Sequence, residues 1–153
     1  MSTQTFRIAV IPGDGIGNEV VPIGLQMLEA LQDSSNGAIA FEFEWFPWGC
    51  DYYLANGVMM APDGLDQLRN FDAIYFGAVG WPEVPDHIAL WGLRLAICQG
   101  FDQYACVRPG VLLPGIESPL RNGTPETIDF VVVRENSEGE YAGLGGRNLA
   151  ARG

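Results

Sequence analysis

The stretch Phe6-Arg7-Ile8-Ala9-Val10-Ile11-Pro12-Gly13-Asp14-Gly15-Ile16-Gly17-Asn18-Glu19 decides the fold. An apolar run broken only by Arg7 ends in a proline and three glycines, and a helical pattern follows: a strand, a glycine turn, a helix. In that helix Val20, Val21, Leu25, Leu28 and Leu31 form one broad apolar stripe. A loop of small polar residues spans 33–37. Residues 39–46 then alternate, with Ile39, Phe41, Phe43 and Trp45 on one side and Glu42 and Glu44 on the other, which predicts a half-buried strand. A short helix is expected around residues 50–55. Another carries Pro62 in its first turn, Leu65 and Leu68 inward, and Asn70 near its end. Residues 72–79 are almost continuously apolar and break at Gly80-Trp81-Pro82, the pattern of a central strand covered on both faces. Strands alternating with helices in this order predict an α/β fold with a parallel sheet. Ligands of such sheets bind beyond the carboxyl ends of the strands. Residues 13–17, 77–87 and the loop from 134 onward are expected there.

The helix predicted over residues 88–98 holds one charge, Arg94, among apolar neighbours, and so reads as buried. Arginine stays protonated in proteins, so in that setting it needs an anionic partner. Arg108 closes the next apolar run and is held extended by Pro109. Arg134 ends the run 128–133, which reads as a second buried strand, and opens a polar loop containing Tyr141. Prolines and glycines punctuate residues 109–125, as in a crossing into a second domain. Taken singly, each arginine has an ordinary role in salt bridges to the many carboxylates. Taken together, three guanidinium forks suit a small di- or tricarboxylate. Tyr141 is either a packed tyrosine or a proton donor to a carbanion or enol. His87, the one histidine, either caps the helix entry or touches a ligand at the strand ends. Residues 145–153 carry no capping or packing pattern, and the chain stops as if cut.

At 153 residues the chain has the size of one ordinary domain. Its net charge is −11, from 19 acids and 8 bases, and every base is arginine. That balance argues against nucleic acid and anionic membranes as partners. It also means that a small anion needs a local basic cluster to bind. Three cysteines without a CxxC pair read as reduced thiols of a cytoplasmic protein. No apolar run is long enough for a membrane span, and the polar start does not read as a signal peptide. One histidine and unclustered acids give no metal site from this chain alone. The glycine turn misses the dinucleotide fingerprint: Asn18 stands where the third glycine belongs, and Asp14 would bring a negative charge towards a pyrophosphate.

Several segments together resemble the metal-dependent β-decarboxylating dehydrogenases of hydroxy acids, the isocitrate/isopropylmalate dehydrogenase family. Residues 13–17 look like its opening loop. Leu93-Arg94, Val107-Arg108-Pro109 and Val133-Arg134-Glu135-Asn136-Ser137-Glu138-Gly139-Glu140-Tyr141 look like its substrate signatures. Asp86-His87-Ile88, Leu90-Trp91-Gly92-Leu93-Arg94 and Gly100-Phe101-Asp102-Gln103-Tyr104 are most similar to its tartrate/D-malate branch.

The resemblance implies a non-Rossmann, isocitrate/isopropylmalate dehydrogenase-like α/β fold, of which this chain is the N-terminal part. Residues 1–100 would begin the large domain and 101–153 the small, dimer-forming one. It implies that Arg94, Arg108 and Arg134 bind malate-like carboxylates and that Tyr141 protonates the enol after carbon dioxide leaves. The nicotinamide of NAD is expected near the loop 77–88, with Gly80, His87 and Ile88 as its contacts. Mg²⁺ or Mn²⁺ would polarise the substrate oxygen, with ligands outside this chain. Cys106 departs from the family's usual asparagine and bears on the geometry of Arg108. Members are considerably longer, and their catalytic lysine lies beyond the matched region, whereas this chain has no lysine. The chain alone is therefore expected to be inactive and to self-associate through open edges. The rival readings are an isopropylmalate dehydrogenase and a non-catalytic module that binds anions or a partner.

Overall fold

A computed structural model describes residues 3–145. They divide into two units, Met1–Ile97 and Cys98–Gly153, and the division falls inside a helix. Residues 146–153, most of the stretch read as lacking a packing pattern, lie outside the described residues, as do Met1 and Ser2.

The first unit runs β1 (Gln4–Gly13), α1 (Gly17–Ser34), β2 (Ile39–Trp45), α2 (Cys50–Asn56), α3 (Gly64–Leu68), β3 (Ala73–Ala78) and α4 (Asp86–Ala89). A π-helical turn (Leu90–Arg94) follows, then α5 (Leu95–Gly100), which crosses the division. The three strands form a parallel sheet in the order β2-β1-β3, with Gln4 opposite Ile39 and Ile8 opposite Ala73. The α/β class read from the sequence is the class observed.

Among the described residues the central strand is β1, and the 72–79 segment lies at an edge. Residues Ile8 to Ile11 are buried on both faces, while β3 is half-buried with Ala73 exposed. The reason is pairing: β1 has a neighbour on each side, whereas β3 pairs only with β1 among the described residues. Successive side chains of β1 point to opposite faces. Ile8 and Val10 pack with Val21 and Leu25 of α1, and Phe41, Phe43 and Tyr75 close round them. The α1 stripe is narrower than its pattern predicts. Val21 and Leu25 are buried, but Val20 and Leu31 are exposed, because one strand face accommodates little more than the i, i+4 row. Trp45, grouped with the inward set of β2, is likewise exposed. Pro62 precedes α3 rather than lying in its first turn.

The segment 88–98 is half-buried rather than wholly buried. Ala89, Leu93, Leu95 and Ile97 are inside, whereas Trp91 reaches the surface.

The second unit is built on an antiparallel ribbon of β4 (Ala105–Val111) and β5 (Asp129–Glu135), with a 3₁₀ turn at Gly139–Tyr141. The run 128–133 was expected to be a buried strand, but it is not. Phe130, Val131, Val132 and Val133 are 45–69% exposed. A two-stranded ribbon has two faces, and among the described residues neither is covered by a packed layer. Arg108 accordingly sits in mid-strand and exposed, not at the end of a buried run. No helix among the described residues is long and apolar enough to cross a membrane.

Candidate functional site

The strand order reverses about β1, so the carboxyl end of β1 lies at the crevice where sheets of this kind take ligands. The chain leaves β1 through Gly13, whose φ of +72° is left-handed and whose added Cβ would collide with the Ala78 carbonyl. That close approach lets the Asp14 N–H donate to the Ala78 oxygen at 2.7 Å. The Asp14 side chain turns inward and is 5% exposed. Its Oδ1 accepts the Cys50 N–H at 2.6 Å and its Oδ2 accepts the Gly80 N–H at 2.9 Å. One carboxylate thus takes up backbone donors from the loops that follow β2 and β3. The turn holds its own anion, which agrees with the failed dinucleotide fingerprint and leaves those amides committed.

Cys50 is buried against that carboxylate. Burial first, then its hydrogen bond to Asp14 and the Asp14 charge, push its thiol from 9.0 up to about 12. At pH 8 the thiolate fraction is then lower than that of an ordinary thiol by roughly a thousandfold. Alkylation followed by mass spectrometry should find Cys50 the slowest of the three cysteines. The folded chain keeps this proton between pH 9 and about 12, where the unfolded chain loses it. The unfolded state binds fewer protons there, so this contribution to stability is present below pH 9 and falls as pH rises through that window.

The expected cofactor contacts Gly80, His87 and Ile88 line two clefts among the described residues. Gly80 has φ +139° and no atom within reach of an added Cβ. It lines a cleft of about 500 Å³ with Trp81, Val84 and Asp86. His87 and Ile88 line a different cleft of about 470 Å³, walled by Tyr53, Met59, Met60 and Trp91. The π-helical turn sits beside it, and Gly92 lies so near Met59 that an added Cβ would stand 2.7 Å from Met59 Cγ. Such turns widen a helix and are frequent at functional sites. Arg94 closes this one, half-buried between the buried Leu93 and Leu95.

In the second unit the ribbon register decides the arginine geometry. Cys106 faces Arg134 and Arg108 faces Val132. Residues two apart in a strand share a face, so Arg108 and Arg134 stand on the same face as diagonal neighbours. Such neighbours lie about 7–8 Å apart. Cys106, expected to bear on Arg108, shares that face with it and stands directly across from Arg134. The Arg134 guanidinium lies over the Tyr141 ring, 4.7 Å from its centroid, and 4.0 Å from Glu140 Oε1. Gln99 Nε2 donates to the Tyr141 carbonyl at 2.8 Å. The Glu135 carboxylate accepts the N–H groups of Ser137 and Glu138 at 2.6 and 2.7 Å and so shapes the loop between.

Of the predicted residues, then, Arg108, Arg134 and Tyr141 belong to the second unit and Arg94, Gly80, His87 and Ile88 to the first. Three contributors were missed. Asp14 was weighed only as a repelling charge, and Gln99 and Asn136 were passed over. Asn136 is buried, donates its N–H to the Tyr104 carbonyl at 2.7 Å, and has an Oδ1 without a hydrogen-bond partner among the described residues. Gly49 next to Cys50 makes room for Asp14, since an added Cβ there would stand 2.6 Å from Asp14 Oδ1. Among the described residues no three His, Cys, Asp or Glu side chains gather as a metal would require.

The family model described as isocitrate/isopropylmalate dehydrogenase matches residues 7–149. A probable tartrate dehydrogenase/decarboxylase of Agrobacterium vitis is 66% identical over 144 residues, 94% of this chain and 40% of the relative. The D-malate dehydrogenase (decarboxylating) of Escherichia coli is 55% identical over 146 residues, again 94% of this chain and 40% of the relative. The crystal structure of isocitrate dehydrogenase from Methylococcus capsulatus aligns at a TM-score of 0.69 and 25% identity, covering 91% of this chain and 37% of that one. The chain thus spans about 40% of the length of the curated relatives it matches.

Proposed function

Because the chain belongs to the isocitrate/isopropylmalate dehydrogenase family, we propose that it carries the substrate-binding arginines and part of the cofactor wall of an oxidative decarboxylase. The substrate is a malate-like 2-hydroxy diacid, tartrate or D-malate, and the reaction depends on NAD and on Mg²⁺ or Mn²⁺. One observation carries this reading: Arg108 and Arg134 share a ribbon face, and Tyr141 is stacked on Arg134. Two anion-binding forks beside a phenol are what a carboxylate-bearing carbanion needs. The names of the relatives support the same choice of substrate.

The arginines act first. Arg94, Arg108 and Arg134 pair with the two carboxylates and fix the carbon skeleton between them. A bound NAD would supply the hydride acceptor: C2 loses its hydride and its hydroxyl loses a proton to a base outside this chain, which leaves a β-keto acid. The bond from C3 to its carboxyl carbon then breaks, and its electron pair flows to the new carbonyl to give an enolate while carbon dioxide departs. Tyr141 gives its hydroxyl proton to C3. The guanidinium stacked on its ring holds the phenol in place. The apolar walls of the His87–Ile88 cleft suit a flat ring, while the Asp14 carboxylate beside the turn at 13–17 already takes up the Cys50 and Gly80 amides and sets a negative charge where a pyrophosphate would approach. The described residues do not fit a divalent ion by themselves, and none of these steps is drawn through one. The protein is proposed to be a cytoplasmic homodimer. The exposed valines at 107, 111, 131 and 133, all on one ribbon face, support an assembly in which that face is covered.

The test is a chimera in which residues 1–144 replace the matched segment of the Escherichia coli D-malate dehydrogenase (decarboxylating). With Mn²⁺ it is expected to reduce NAD with D-malate or tartrate in preference to isopropylmalate, ranked by kcat/KM. The 153-residue chain by itself is expected to reduce none. A folded chimera inert towards every diacid, or one that prefers isopropylmalate, contradicts the proposal.

A further inference from the structure

The first unit contains a buried carboxylate that the chemistry above does not use. Asp14 is 5% exposed and forms no ion pair among the described residues. Its charge is met instead by two backbone amides, from Cys50 and Gly80, with the Cys50 thiol beside them. These three residues follow β1, β2 and β3 respectively. Backbone amides converging on an anion are the arrangement that glycine turns use for phosphate groups. Here the anion is covalently part of the turn. Two glycines make the approach possible: Gly13 through its left-handed φ, and Gly49 because any side chain there would crowd Asp14 Oδ1.

We infer that Asp14 is the positioning residue of the Gly80 loop, its carboxylate holding the loops beyond all three strands in one arrangement. The consequence for the cofactor rests on the function proposed above. From Gly80 the chain runs through a tight bridge between Trp81 and Val84 into α4, which carries His87 and Ile88. Fixing the Gly80 amide therefore fixes the start of the segment expected to face the nicotinamide. A carboxylate is required because it offers two acceptor oxygens and no donor. An amide keeps one acceptor and turns an N–H₂ group against the other backbone N–H. Asp14→Asn should thus release one loop and retain the fold of the sheet.

Three readouts test this. In the ¹⁵N-labelled wild-type chain, the Cys50 and Gly80 amide signals should shift on acid titration with the midpoint of the Asp14 carboxyl carbon; amides that ignore that midpoint overturn the inference. In Asp14→Asn, hydrogen exchange at the Gly80 or Cys50 amide should quicken by about tenfold or more while the amides of Ile8 to Ile11 keep their protection. Unchanged exchange at both loops overturns it. In the chimera, Asp14→Asn should raise KM for NAD about tenfold, with kcat and KM for D-malate within about threefold of the parent; a fall in kcat with KM for NAD unchanged overturns it. Should the variant fail to fold, the wild-type titration decides. Should the chimera never reduce NAD, the functional reading fails, while the titration and exchange still decide the role of Asp14.

Discussion

Replacing Arg134 by alanine in the chimera is expected to lower kcat/KM for D-malate by roughly 10² to several times 10³. Removing one side of a desolvated charged pair costs about 3–5 kcal/mol, and each 1.36 kcal/mol is about tenfold in rate. The loss should divide between both kinetic constants, because Arg134 has two contacts to lose. Its fork to a substrate carboxylate raises KM when removed. Its stacking on Tyr141, at 4.7 Å from the ring centroid, lowers kcat when removed. The contact to Glu140 contributes little, since that carboxylate is exposed and 4.0 Å away. Arg134→Lys should restore only a small part, because an ammonium keeps the charge without the planar fork that both pairs and stacks. Tyr141→Phe separates the two roles: it should depress kcat and leave KM for D-malate near the parent value.

Val10→Asp is expected to have the largest effect on stability. Val10 is 0% exposed, lies in the strand paired on both sides, and packs with Val21 and Leu25 of α1. Nothing cationic stands in that cluster to pair with an introduced carboxylate. A substitution that buries an unpaired charge falls in the class that costs more than about 4 kcal/mol. For a unit of this size that lowers the melting temperature by at least about 15 °C. The burial also raises the pKa of the introduced carboxyl. The variant should therefore be less destabilised at pH 3.5, where the unfolded state is largely protonated too, than at pH 7. Circular-dichroism melts of the 153-residue chain at both pH values check this. Equal losses at the two pH values would show that shape, not charge, dominates.

The sequence reveals the α/β class because periodicity is local. The run at 6–11, the glycine turn and the alternation at 39–46 each declare their own structure. Which strand is central is not local. It depends on pairing partners: both β1 and β3 carry the same apolar pattern, and among the described residues β1 is paired on both sides and β3 on one. Burial of the run 128–133 failed for a related reason: apolar β-branched residues announce a strand but not what covers it. Arg94, Arg108, Arg134 and Tyr141 were legible as candidates from their unusual settings and from the family resemblance. That Arg108 and Arg134 share a ribbon face needed the register, which sequence spacing alone does not fix. Asp14 was legible only as a charge in an awkward place. Its two partners are 36 and 66 residues away, and nothing within the turn announces them.

The central claim is that three guanidinium groups distant in sequence gather on one doubly charged substrate. A crystal structure of the chimera with D-malate bound tests it most directly. The account predicts Arg94, Arg108 and Arg134 each within about 2.7–2.9 Å of a substrate carboxylate oxygen, with the Tyr141 hydroxyl directed at C3. Carboxylates held by other groups, with any of the three arginines turned away from the substrate, would contradict it.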